Sequence, residues 1–169
     1  MDTILLIITG VLSRLIPHPA NFTAVGSLAI FSGFRFGSKK AVFITITIMF
    51  ITDCVFGFHS VMWATYGSMF LATVLGRAIR GKYNYRSVVL ACLGSSVLFY
   101  IVTNFAVWAV PGSMYPKTLQ GLTDSYIMAI PFFRNSLLGD LTYTGIFFGA
   151  YEFVSCLRRR PLKVILSHI

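Results

Sequence analysis

Six apolar runs, separated by turns that hold nearly all the charge, leave this chain few ways to fold. They cover residues 3–16, 22–36, 41–58, 61–79, 87–110 and 136–157. Each is too long for an ordinary strand, so the runs read as helices. Only 11% of the residues are charged, less than half the share of roughly 25% that covers a soluble domain. Mean hydropathy is +0.78. The expectation is an all-α integral membrane bundle of six transmembrane helices in one domain, residues 1–157, followed by a basic cytoplasmic tail, 158–169.

Charge placement sets the expected topology. Arg35, Lys39, Lys40, Arg77, Arg80, Lys82, Arg86, Arg158, Arg159, Arg160 and Lys163 all lie at the ends of the second, fourth and sixth runs or just after them. The other connections hold Lys117, with Arg14 and Arg134 at their borders. Basic loops stay cytoplasmic, so both termini are expected inside the inner (cytoplasmic) membrane. Residues 119–133 are interrupted by Pro131 and are expected to form an outer re-entrant or amphipathic segment before the last helix. The first run has no basic segment before it and no convincing small-residue cleavage site after it, and is expected to be a retained helix.

The net charge of +9 is accounted for by topology, and nucleic acid is not an expected partner. Cys54, Cys92 and Cys156 sit singly in apolar runs and read as small buried hydrophobes, with no metal site. No phosphate-binding loop, His-Glu-x-x-His or Gly-x-Ser-x-Gly occurs, so neither ATP hydrolysis nor a familiar hydrolase chemistry is expected. Gly139-Asp140 matches half of an intramembrane aspartyl-protease motif, but Leu137 stands where its first glycine belongs. No cofactor is implied.

Polar chemistry concentrates at the expected outer end. His18, Asn21, Asp53, His59, Asn104, Trp108, Tyr115, Arg134, Asn135 and Asp140 are the candidate substrate-binding residues. Ionisable groups at membrane depth usually face an interior or a wet cavity. Asp53 and Arg134 would balance charge, within an internal pair or against a ligand. His18, Asn104, Asn135 and Asp140 would hydrogen-bond, and Trp108 and Tyr115 would stack or form an interfacial belt. Asn21 also suits the cap of the second helix. Small residues at four-residue spacing, Ala29 and Gly33, Ala64 to Gly76, and Gly145 and Gly149, are expected to be packing faces inside the bundle.

The blocks Arg14-Leu-Ile-Pro-His-Pro-Ala-Asn-Phe-Thr and Gly26-Ser-Leu-Ala-Ile-Phe-Ser-Gly33, with Ala-Ile-Pro-Phe-Phe-Arg-Asn-Ser-Leu-Leu-Gly-Asp at 129–140, resemble an uncharacterised family of small bacterial multi-pass membrane proteins. Ala20 and Ala24 stand where that family usually has prolines. More distantly, size and topology resemble the S components of energy-coupling-factor vitamin transporters. That resemblance implies a membrane substrate-binding and uptake protein for a vitamin-like or polar-aromatic solute, working with a membrane coupling subunit and its ATPase. Those proteins carry an Ala-x-x-x-Ala ladder in the first helix, where this chain has only Gly10. The alternatives are an outer-leaflet enzyme using His and Asp, and a non-catalytic accessory subunit. A His–carboxylate contact beside a cavity marks the enzyme, dispersed polar groups around a cavity mark the binding protein, and no cavity marks the accessory subunit.

Overall fold

The computed structural model describes residues 3–166, with side chains for 3–157. Six α-helices form a bundle: α1 (Thr3–Leu15), α2 (Val25–Arg35), α3 (Ser38–Phe56), α4 (Met62–Ala78), α5 (Tyr85–Ala109) and α6 (Leu119–Leu166). No strand occurs among the described residues.

Local chemistry sets the boundaries. Proline cannot donate the next helical bond, so α1 stops before Pro17. Gly57, at φ 92°, takes the backbone out of α3 through a region few other residues enter. Asn84 opens α5 with a reciprocal capping box: its side chain accepts from Ser87 N at 2.9 Å, and Ser87 Oγ accepts from Asn84 N at 3.1 Å. At the other end of α5, Lys117 Nζ donates to the carbonyls of Trp108 and Val110, which the ending helix leaves open.

The core is built around α2. All ten residues from Val25 to Phe34 are buried. Phe31 and Phe34 lie against Phe148 at ring separations of 5.3 and 5.2 Å, fixing α6 to this helix. Against α4 the backbones themselves touch. A methyl on Gly33 would collide with Thr73 O, and one on Gly76 with Ile30 O. Ala29, Ala64, Ser68 and Ala72 are buried along the same contact. These ladders form the expected packing faces. Gly145 and Gly149 do not: no atom lies near either position, and both line a groove of about 690 Å³ with Tyr83, Tyr85, Leu141 and Phe148. The sequence shows that two glycines share a face, but not that another helix reaches it.

Further departures concern the runs themselves. The second run yields only 11 helical residues, about 16 Å of rise against a hydrocarbon core of about 30 Å. The segment expected to re-enter before the last helix instead joins it in one 48-residue helix. Pro131 lies within that helix and leaves the carbonyl four residues earlier without its usual partner. One turn before it, α5 grips α6: Tyr100 Oη donates to Tyr126 O at 2.7 Å, and Tyr126 Oη to Ile101 O at 2.8 Å. The interval 111–135 between the fifth and sixth runs thus shrinks to a connection of residues 110–118. The backbone of α6 runs on through most of the expected tail, whose side chains lie outside the described residues, as do residues 167–169.

Among the described residues, α5 alone is long and apolar enough to cross a membrane by length and composition. α1 is apolar but has 13 residues, and α3 carries Lys39, Lys40 and Asp53. Of the cysteines, Cys92 is buried while Cys54 and Cys156 are exposed on helix faces.

Candidate functional site

A cavity opens at the end of the bundle where α1 turns into α2 and α3 turns into α4. It has two lobes. The first, about 320 Å³, is lined by Arg14, His18, Asn21, Gly26, Met49, Phe56, His59, Met69, Ser95, Phe99 and Asp140, among others. The second, about 300 Å³, lies between α5 and α6, against Phe99, Tyr100, Thr103, Asn104, Phe132 and Phe133. Asn21, His59, Thr65, Phe99 and Ser136 border both lobes.

The mouth is made by the α1–α2 turn. Asn21 sits at φ 64°, a left-handed conformation that asparagine tolerates better than most residues. It does not cap α2. The N-cap position falls on Ala24, without a side-chain bond of its own, and the Ala24 N–H donates to Ser13 Oγ of α1 at 3.1 Å. Asn21 is thereby free to face the cavity. His18 sets both ring nitrogens against backbone carbonyls, Nδ1 at 2.8 Å from Pro19 O and Nε2 at 3.2 Å from Arg14 O. A neutral ring donates to one of these, and only the protonated ring donates to both.

One wall carries a buried ion pair. Arg14 Nη2 donates to Asp53 Oδ1 at 3.0 Å, with Asp53 almost wholly buried. Arg14 Nη1 reaches Met49 Sδ at 3.1 Å, and the guanidinium lies 5.7 Å from the centre of the Phe56 ring. Tyr66 lies beside Asp53, yet Asp53 Oδ2 and Tyr66 Oη are both buried without a hydrogen-bond partner. Asp53 therefore stands behind Arg14, which is the side chain that reaches the cavity.

The opposite wall carries Asp140, 7% exposed. Its Oδ2 accepts from Ser96 Oγ at 2.7 Å, and its backbone carbonyl from Ser27 Oγ at 2.7 Å. Thr144, one turn on, donates to Ser27 Oγ at 3.1 Å and contacts Cys92 Sγ at 3.5 Å. Oδ1 rests over Gly26, where a methyl group would collide with it. Among the described residues Asp140 has no salt bridge.

Of the sequence candidates, His18, Asn21, His59 and Asp140 meet at the first lobe, and Asn104 joins Asn21 and His59 at the second. Asn104 spends its amide on Tyr100 O at 2.8 Å. Trp108 and Tyr115 border neither lobe. Trp108 Nε1 donates to Pro116 O at 2.9 Å, under the Lys117 ammonium. Arg134 is exposed, with no salt bridge among the described residues, and Asn135 is half-buried outside both lobes. In the sequence Arg14 stands only as a basic residue at the border of the first run, and Ser95, Ser96 and Ser136 are inconspicuous, because serines in apolar helices carry no distinguishing pattern.

The fold and cavity define an all-helical bundle with a polar, partly charged pocket at one end. The chain belongs to a family of unknown function (DUF6580), whose profile matches residues 1–163. No curated protein and no solved structure matches it.

Proposed function

We propose that the protein is a multi-pass inner-membrane protein that captures a small polar-aromatic solute in this cavity for uptake. The carrying observation is the cavity itself: charged and hydrogen-bonding groups from four helices and two connections converge on a space of ligand size, between aromatic and methionine walls. Membrane embedding is supported by large apolar side chains exposed along the bundle. They include Ile4 and Ile8 on α1, Phe43 and Phe50 on α3, Trp63 and Phe70 on α4, Leu90 and Ile101 on α5, and Ile127 and Ile146 on α6. The irregular α1–α2 turn suits such a setting, because non-helical backbone at depth is tolerated where it lines a cavity. With the basic loops at the other end, the cavity opens outward.

An enzyme using His and Asp receives no support from the geometry. His18 faces carbonyls, and neither cavity histidine forms a salt bridge with a carboxylate among the described residues. Energy for uptake would come from a membrane coupling subunit with an ATPase, since the chain carries no nucleotide-binding motif.

Native mass spectrometry of the gently delipidated full chain tests the reading. A small molecule should co-purify with wild type and with Arg134→Ala, and be absent from Thr65→Trp, which fills the junction of the two lobes. Equal retention by Thr65→Trp would overturn it.

A further inference from the structure

We propose that the cavity takes an organic cation, a protonated amine or cationic nitrogen heterocycle on a flat apolar body, with Asp140 as its counter-ion. The proposal rests on the binding-pocket reading above and names the class of molecule bound.

The first argument is a charge balance. Arg14 and Asp53 neutralise one another at 3.0 Å. Asp140 is left as a buried carboxylate with no cation of its own. From α2 it meets Gly26 and Ser27, and from α5 Ser96 and the Cys92 thiol, none of which is a cation. The titratable groups elsewhere on the lobe are Arg14 of α1, His18 of the α1–α2 turn and His59 of the α3–α4 connection. α4 contributes Thr65 and Met69, which carry no charge. A buried charge is costly unless paired. A ligand cation supplies the missing partner.

The second argument is geometric. Ser96 holds Oδ2 and the Ser27 backbone N–H also reaches the carboxylate, but both donors are neutral, and a carboxylate has about four acceptor positions. The absence of a side chain at Gly26 keeps Oδ1 clear. An ammonium or ring N–H presented to the carboxylate therefore has an acceptor ready. The third argument is the character of the walls. Phe56 and Phe99 border the first lobe, and Tyr100, Phe132 and Phe133 the second. Aromatic faces around a carboxylate attract organic cations through the ring quadrupole while burying an apolar body.

The test uses the full chain in lipid nanodiscs and a matched probe set: phenyl, pyridine and indole rings, each bearing an ethylammonium, a neutral hydroxyethyl or a propanoate arm. Binding is read by thermal shift and calorimetry. The ammonium members should bind wild type at least about tenfold more tightly than their neutral and anionic counterparts. Asp140→Asn should remove that preference, while Arg134→Ala keeps it. Neutral or anionic members binding wild type as tightly as the ammonium members would overturn the cation assignment and leave the pocket intact, and this comparison stands even if Asp140→Asn does not fold. Equal affinity for the ammonium members in wild type and a folded Asp140→Asn would also overturn it. No binding by any member, or binding unchanged in Thr65→Trp, would overturn the pocket reading and this inference together.

Discussion

Arg14 reaches across from α1 to hold the buried carboxylate of Asp53 on α3, Nη2 to Oδ1 at 3.0 Å. Removing one member of a buried pair strands the other, at a cost of about 3–5 kcal/mol, whereas replacing both with apolar groups is often neutral. Arg14→Met and Asp53→Leu should therefore each lower the thermal midpoint sharply. The double variant should recover much of the loss. Thermal unfolding of the four proteins in one detergent measures the coupling. Additive losses would show that the pair does not act as a unit.

The glycines make opposite predictions from one residue type. Gly76→Ala drives a methyl into Ile30 O where the backbones of α2 and α4 lie close together. Overpacking of this kind costs about 1–3 kcal/mol, and backbone atoms yield least. Gly145→Ala meets nothing and gains helix propensity of up to about 1 kcal/mol. The first variant should unfold earlier than wild type and the second no earlier. Thermal scans of the two beside wild type decide it.

These glycines also show what the sequence could tell and what it could not. Apolar periodicity and breakers located six helices, because those signals are local. Whether a face is covered depends on a partner elsewhere in the chain, so Gly33 and Gly145 look alike until the fold is known. Pro131 misled for a related reason. It is a strong local break signal, but the Tyr100–Tyr126 clasp and the neighbouring helix hold the segment as part of α6. At the site, Asp53 and Asp140 stood out because carboxylates are rare in apolar runs. Arg14 did not, since an arginine at a helix end is ordinary, and only the fold turns it inward. Trp108 and Arg134 have the right chemistry but border neither lobe.

Trp108 supplies a direct contrast between fold and site. Its indole N–H is spent on Pro116 O at 2.9 Å, closing the α5–α6 connection. Trp108→Phe should cost about 1 kcal/mol, the usual net worth of one hydrogen bond. It should leave ammonium-probe affinity unchanged within about twofold. Calorimetry and a thermal scan on the same preparation separate the two. A selective loss of affinity at unchanged stability would place the indole at the ligand.

Ser96 tests how the candidate counter-ion is held. Its hydroxyl donates to Asp140 Oδ2 at 2.7 Å and shows a second short contact, 3.0 Å, to Cys92 O of its own helix. A hydrogen bond to a charged group contributes about 1.5–3 kcal/mol, and its loss also frees the carboxylate to rotate away from the pose over Gly26. Ser96→Ala should lower both stability and affinity for the ammonium probes, by about tenfold in affinity, while Ser96→Thr, which keeps the hydroxyl, should restore most of the binding. The decisive comparison is between the serine and the aspartate. If Ser96 acts by positioning Asp140, then Ser96→Ala should weaken binding by about tenfold in wild type and by no more than about twofold in Asp140→Asn. Equal losses in both backgrounds would mean that the serine contacts the ligand directly.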